Sequence, residues 1–437
     1  MSNKIHFIGI GGIGLSALAR FLKKNGYDIS GSDMKESPIT KSLKSEDIKV
    51  NTPQLAKNIQ DQDIVIYSAA IKEDNVEFIE AKKKGMLLLS RKEALPFILK
   101  GKKVYAVAGA HGKSTTSAML ASVIDGSVII GAESKQFNSN MHFAKSDNMI
   151  FEADESDASF LNTNPHVAIV TNAEPEHMEF YNYDLNRFYD AYRTFLKKAK
   201  IRVINAEDDF LSSLKDIEAI RLYPSQDIKK IKTIIVEGEP YTSFVLKDLG
   251  TFKVFGVGEH IAINASLTIL AAMTQNSLED VRENLKNYKG IKKRFDILEK
   301  NSRRVIIDDY AHHPTEIEVT IKSARKYARL LGLKKVVAIW QPHKYSRTID
   351  NLDKFKECFA GIDELIILPV FTAGEEKQSI DFKKHFKNYK PLFADTVINV
   401  NNHLKIIKNH QAIQDLEDGV IIGLGAGDIT YQLRGEL

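Results

Sequence analysis

Residues 104–118, VYAVAGAHGKSTTSA, carry side chains of the types that grip a phosphate. The apolar run 104–108 predicts a strand. Gly109, Ala110, His111 and Gly112 make a bend. Lys113, Ser114 and Thr115 then open a helix with apolar positions at Ala118, Met119 and Val123. A strand, a glycine turn and a helix start aim backbone N–H groups at one point, and the helix dipole adds positive charge there. The lysine neutralises phosphate charge, and the Ser114 hydroxyl suits Mg²⁺. The spacing G-x-x-G-K-S is tighter than the usual G-x-x-x-x-G-K-S. A chance Gly-Lys-Ser at a turn is the plain alternative; the flanking strand and helix patterns weigh against it.

A metal partner belongs near such a loop. The run MIFEADESD at 149–157 ends three apolar residues in Glu152, Asp154, Glu155 and Asp157. Glu152 sits at the strand's end and is the ligand candidate, because Mg²⁺ takes hard oxygens beside phosphate. The other acids fit a solvated loop. The apolar run 167–171 leads to Asn172, Glu174 and His177, at the carboxyl edge where a parallel sheet binds ligands. At the start of the chain, Gly9, Gly11, Gly12 and Gly14 fit G-x-G-x-x-G. They follow an apolar strand at 4–10 and precede a helix through Leu15, Leu18 and Leu22. Asp33 closes the next strand, where an acid often meets a ribose.

The elements that must position these residues alternate between strand and helix. Strands are expected at 64–68 and 86–90, and a helix at 181–198 with Phe188, Tyr192 and Phe195 facing the core. Signals are weak over 205–255. An Ala/Leu-rich helix follows Gly258, His260 and Asn264. KGIKKRF at 289–295 reads as a basic hinge able to bring Arg294 onto phosphates. Beyond it, the strand 305–307 ends in Asp308, Asp309, Tyr310, Ala311, His312 and His313, and a helix starts at Thr315. The strand 336–340 ends in Gln341, His343, Lys344 and Arg347. Strands at 364–370 and 420–424 complete the set. The expected architecture is α/β with three domains: a Rossmann-like one at 1–99, a P-loop ATPase-like one at 100–291 and a second Rossmann-like one at 292–437.

Composition sets the class. The 437 residues are 43% hydrophobic and 27% charged, globular values for a chain of two to four domains. A net charge of +4 suits anionic small molecules and is too weak to argue for nucleic acid. The lone Cys358 excludes an internal disulfide and fits the cytoplasm. No apolar run is long enough to span a bilayer.

The chain resembles the Mur ligases, ATP-dependent amide ligases of peptidoglycan synthesis. HFIGIGGIGLSALA, VAGAHGKSTT, EADESDASFL, VTNAEPEHM, DDYAHHPTEI, QPHKYSRT and GAGDI carry the resemblance, in family order over nearly the whole chain. It implies cofactors ATP and Mg²⁺ and the substrates UDP-N-acetylmuramate and L-alanine. The sugar carboxylate takes the γ-phosphate of ATP, and the amine then displaces phosphate. It implies that Gly11, Gly12, Ile13, Gly14, Asp33 and Ser68 hold the UDP-sugar. Gly109 to Thr115, Asn264, Arg294 and Asp309 would hold ATP. Ser114 and Glu152 would hold one Mg²⁺, with His177 and Glu152 on a second. His312 would lie near the transferred phosphoryl, and Tyr310, His343, Lys344 and Arg347 on the amino-acid side. Asn138, Ser139 and Asn140 are candidates for muramate contacts. Several residues depart from the family pattern: Lys344 for arginine, Ile261 for asparagine, Glu176 for aspartate and Ala110 for threonine. The resemblance leaves the chain a monomer or homodimer. Two rivals remain: a ligase attaching a recycled murein peptide to the same sugar nucleotide, and an NAD-dependent oxidoreductase using the first glycine turn.

Overall fold

The computed structural model describes residues 3–400 and 403–436. Contacts gather the chain into two compact units. One comprises Met1–Lys229, Leu246–Gly250 and Ile263–Lys289; the other comprises Lys230–Val245, Thr251–Ala262 and Gly290–Leu437. The two expected N-terminal segments therefore share a unit, because helix 13–24 packs on a hairpin of the second sheet.

The first unit begins with a parallel sheet of β1 (Lys4–Ile8), β2 (Asp28–Ser32), β3 (Lys49–Asn51), β4 (Ile64–Tyr67) and β5 (Leu87–Ser90), in the order β3-β2-β1-β4-β5. The order reverses beside β1, which opens a crevice at the carboxyl ends of β1 and β4. The strand expected at 4–10 stops at Ile8, because Gly9 turns the chain at φ +82°. Helix Ile13–Lys24 follows, with Gly12 at its cap and no side chain bonded there. Its first amides are left to a ligand or water.

The second sheet holds β6 (Lys103–Ala108), β7 (Ser127–Ser134), β8 (Ser139–His142), β9 (Asn148–Glu152), β10 (Val167–Val170), β11 (Ile201–Asn205) and β12 (Ile220–Leu222). The order is β12-β11-β10-β6-β9-β7-β8, parallel except for the edge hairpin β7–β8. β6, fully buried from Val104 on, lies in the middle and delivers the phosphate loop. Helix Leu185–Lys198 starts later than expected. Asp184 caps it through the amides of Asn186 and Arg187. Its Tyr192 and Phe195 pack on Phe160 at 5.2 and 5.0 Å, the core stripe that the spacing predicts.

Most of a three-stranded sheet, β13 (Ile228–Val236), β14 (Glu239–Leu246) and β15 (Gly250–Phe255), belongs to the second unit. It accounts for the weakly patterned stretch: β13 is half exposed and lysine-bearing, so no apolar alternation marks it. The larger sheet has β16 (Asp296–Lys300), β17 (Arg304–Asp309), β18 (Val336–Trp340), β19 (Glu364–Ile367) and β20 (Leu392–Phe393). An antiparallel meander of β21 (Thr396–Val400), β22 (His403–Lys408) and β23 (Gln411–Asp415) precedes β24 (Gly419–Leu424). The large sheet runs β16-β17-β24-β18-β19-β20, with only β16 antiparallel. Among the described residues, no helix is long and apolar enough to cross a membrane.

Trp340 closes the core of this unit, with rings of Phe355, Phe359 and Phe386 at 5.0, 5.1 and 5.3 Å. Its replacement by alanine should destabilise the unit by about 3–5 kcal/mol. The expected readout is a lower urea midpoint followed by circular dichroism; an unchanged midpoint would remove Trp340 from the core ledger.

Candidate active site

The phosphate loop is tight because its glycines allow it. Gly109 takes φ +138°, and a Cβ there would fall 2.1 Å from Thr171 Oγ1. Gly112 takes φ +83°, and a Cβ there would fall 2.7 Å from Asn264 Oδ1. The end of β10 braces the loop: Thr171 Oγ1 and Asn172 Nδ2 donate to His111 O at 2.6 and 2.9 Å, and His111 N donates to Asn172 Oδ1 at 3.1 Å. Asn264, reached from the distant helix Glu259–Ala272, thus lies against the loop. Thr115 bonds the buried Tyr288 hydroxyl and anchors the helix start to the 278–289 segment.

Lys113 folds back over this loop. Its Nζ donates to Gly109 O at 2.6 Å, Ala110 O at 3.2 Å and Glu155 Oε1 at 2.9 Å. Burial pulls the lysine pKa down, but Glu155 and Glu152 outweigh it and the group is held above its ordinary value. Burial raises the Glu155 carboxyl against the pull of Lys113. Glu155 is only 1% exposed, so the acidic run is not a solvated loop. Ser114 Oγ donates to Glu152 Oε1 at 3.0 Å, and Gly131 N donates to Glu152 Oε2 at 2.8 Å. A hydroxyl and a carboxylate oxygen beside a phosphate loop are the donor set of a hard cation. Gly131 escaped the sequence reading; it sits on β7, and a Cβ there would strike Glu152 Oε1 at 2.8 Å.

His177 leaves β10 at φ +53°, with Nδ1 3.9 Å from Glu179 and no direct contact with Glu152. Instead, Glu174 and Glu176 approach the loop, 3.1 and 3.9 Å from His111 Nε2. At the first glycine turn, Asp33 accepts from Gly11 N through Oδ2 and from Met34 N through Oδ1, both at 2.8 Å. One oxygen therefore braces the turn and the other holds the amide that follows Asp33. Ser68 N donates to Ile8 O at 3.1 Å, and Ser68 Oγ accepts from Ala70 N at 3.3 Å. Arg91, absent from the sequence candidates, reaches the same turn: a Cβ on Gly14 would lie 3.0 Å from its Nη1. Its Nη2 donates to Ser159 Oγ at 3.2 Å and lies 3.4 Å from Asp154 Oδ2. Asn138 occupies the hairpin turn at φ +49° and Ser139 Oγ accepts from Met141 N, whereas Asn140 is 2% exposed and turned onto helix 13–24.

In the second unit, β17 ends on Asp309, which accepts from Phe295 N at 2.7 Å and Ala311 N at 2.8 Å. It thereby fixes the hinge residue next to Arg294. Burial raises its carboxyl, against Arg294 and the two amides, to about 6. Arg294 Nη1 bonds Glu316 Oε1 at 3.2 Å, and the guanidinium lies 5.3 Å from the Tyr310 ring centre. His312 Nδ1 lies 2.9 Å from Tyr310 O; a carbonyl only accepts, so Nδ1 carries the proton. Burial, helped by Arg347 and Arg294 and opposed by Glu316, lowers this histidine to about 4. His312 is thus a neutral ring. Arg347 Nη1 donates to His343 Nδ1 at 3.0 Å and His343 O at 2.9 Å. Lys344 pairs with Glu375 at 3.1 Å. Glu375, missed in sequence, also takes Ser346 N at 3.0 Å and Ser346 Oγ at 2.6 Å. Burial raises it, but these bonds and Lys344 win and hold it at about 2. Its only sequence signal was an acidic pair after Gly374.

Three family models match successive parts of the chain. Residues 4–103 match "Mur ligase family, catalytic domain", 107–272 match "Mur ligase middle domain" and 293–427 match "Mur ligase, glutamate ligase domain". The chain belongs to the Mur ligase family. A Campylobacter curvus protein named UDP-N-acetylmuramate–L-alanine ligase is 60% identical over 432 residues, covering 99% of both chains. A Helicobacter pylori protein of the same name is 55% identical over 99% of this chain and 97% of its own. The crystal structure of the Thermotoga maritima UDP-N-acetylmuramate-alanine ligase superposes with a TM-score of 0.82 at 28% identity, covering 99% and 98%.

The lowered His312 pKa has a sign that can be tested. Between about pH 6.5 and 4 the unfolded chain binds a proton at this ring and the folded chain does not. This component of stability is therefore complete above pH 6.5 and is lost as pH falls toward 4. His312→Gln should flatten the dependence of the urea midpoint on pH across that window; an unaltered slope would mean that the ring titrates normally.

Proposed function

We propose that this protein joins L-alanine to the lactyl carboxylate of UDP-N-acetylmuramate, converting ATP to ADP and phosphate. Near-complete coverage at 60% identity by a relative of that name carries the reading. The cradle around Lys113 supplies independent chemical support. The glycine turn at 9–14 would then serve UDP. An NAD-dependent oxidoreductase would leave Lys113, Ser114 and Glu152 without a task. The murein peptide ligase of Psychrobacter arcticus, at 20% identity and a TM-score of 0.66, shares the fold.

In this reading the amides of 109–115 and Lys113 hold the β- and γ-phosphates. Lys113 exchanges Glu155 for phosphate oxygens as ATP enters. Ser114 and Glu152 would hold Mg²⁺, with His177 a candidate for a second ion; bound Mg²⁺ supplies positive charge beside the phosphates. The sugar carboxylate attacks the γ-phosphorus, the bond to the β-phosphate oxygen breaks and ADP leaves. Phosphoryl transfer between anions asks for alignment and positive charge more than covalent help, which suits a site built from amides and a lysine. The alanine amine then attacks the acyl carbon and phosphate leaves. Arg294 and Asp309 are assigned to ATP, and Tyr310, His343, Lys344 and Arg347 to the amino-acid side. Arg347 retains free N–H groups able to clamp the alanine carboxylate. The neutral His312 offers a lone pair rather than a charge. A cytoplasmic location and a monomeric or homodimeric state belong to the same proposal.

Phosphate release should require both UDP-N-acetylmuramate and L-alanine, and a murein tripeptide should not replace alanine. Turnover with tripeptide alone would transfer the reading to the peptide ligases. Lys113→Ala should lower kcat by about 10²–10³-fold or more with the fold intact by circular dichroism. Ordinary turnover in that variant would take the loop out of the mechanism.

A further inference from the structure

By sequence Asn140 is a candidate sugar contact, but its side chain is fully engaged elsewhere. Nδ2 donates to Ile13 O at 2.6 Å and to Ser16 Oγ at 3.1 Å, both in the first turn of helix 13–24. Oδ1 accepts from Arg20 Nη1 at 2.8 Å, one helical segment further on. Arg20 is itself fixed by Glu46, at 2.8 and 2.7 Å, and by Ser42 at 3.0 Å. The side chain thus grips the end of the helix that presents Gly11 to Gly14.

The other side of β8 leads to the phosphate loop. β8 pairs with β7 through Ile129↔Met141 and Ser134↔Ser139, and the ladder shifts register between them, so that Gly131 lies in the irregular stretch of β7 opposite Asn140. Gly131 N holds Glu152 Oε2 at 2.8 Å, and Glu152 Oε1 holds Ser114 Oγ at 3.0 Å. One hairpin therefore carries both contacts, Asn140 toward the helix after the first glycine turn and Gly131 toward Glu152 and Ser114. Leu15, Leu18 and Leu22 of the helix share an apolar core with Ile129 and Met141 of the hairpin, and non-directional packing of this kind holds the two together without fixing their register. A cavity of about 700 Å³, lined by Ile13, Lys24, Ile39, Phe137 and His142 among others, lies between the helix and the hairpin.

We infer that Asn140 is a positioning residue that sets the register between the first glycine turn and the phosphate loop. This deepens the proposed reaction and rests on it: the turn carries the sugar nucleotide, the loop carries ATP, and the sugar carboxylate must meet the γ-phosphate in line. A displacement of about 1 Å at such a contact costs on the order of 10²-fold in rate. Asn140 touches no reacting atom in this account, so its loss should act on kcat and spare ligand affinity.

Two variants separate this from a purely structural role. Asn140→Ala removes every bond. Asn140→Asp keeps an acceptor for Arg20 and loses the donor to Ile13 O. Both should lower kcat for alanine ligation about 10- to 100-fold while the affinities for UDP-N-acetylmuramate and for adenylyl imidodiphosphate, measured separately, stay within about twofold. A lower urea midpoint with unchanged kcat would overturn the inference, and so would lost sugar-nucleotide affinity with unchanged kcat. If the wild-type protein ligates no alanine, the functional reading fails on its own. Amide exchange then decides the link: faster exchange over residues 13–20 in Asn140→Asp supports it, and unchanged exchange overturns it.

Discussion

The first unit depends on a half-buried lysine held between one carboxylate and two carbonyls. Lys113 opens the helix after the glycine turn, and its Nζ finds Glu155 at 2.9 Å and two carbonyls of its own loop. A charge buried without such partners would be lost as a proton or would unfold the turn. Glu155 is therefore the counter-charge that keeps Lys113 charged.

The rest of the unit serves to bring remote carboxylates and amides to that lysine. β6 lies between β9 and β10, so Glu152 at the end of one neighbour and Thr171 at the end of the other flank the loop. Parallel strands with their carboxyl ends aligned do this without long loops. The second unit applies the same device. β17 and β18 lie on either side of β24, and the ends of β17 and β18 carry Asp309 with Tyr310 and Gln341 with His343. There the main constraint is Asp309, whose two oxygens order the hinge segment and the following turn together.

Several polar residues proved to be braces for others. Asp33 uses one oxygen on the glycine turn and the other on the amide of Met34, Asn140 spends all of its groups on helix 13–24, and Glu375 ties Lys344 to the start of helix Tyr345–Asp350. In each case a residue type suited to ligand contact is saturated by the backbone or by a neighbouring charge. A buried polar group left unpaired costs more than a bond gains, so the fold uses such side chains first to satisfy itself.

The sequence by itself determined the strands that end in chemistry and the class of that chemistry. Long apolar runs broken by glycine, as at 104–112, have one local solution, and β6 with its loop follows from it. The central strands at 336–340 and 420–424 were equally plain, because burial on both faces makes them continuously apolar. Only the tertiary structure decided which polar residues meet. Glu155 and Lys113, Gly131 and Glu152, Arg91 and Gly14, and Lys344 and Glu375 are far apart in the chain, and no periodicity links them. It also decided the edges: the hairpin at 127–142 and the sheet at 228–255 are half exposed, so their patterns carry little apolar contrast. Local runs are fixed by interactions a few residues long, whereas pairing across 20 to 80 residues is fixed by which helices and strands share a face, and single-chain patterns do not encode that.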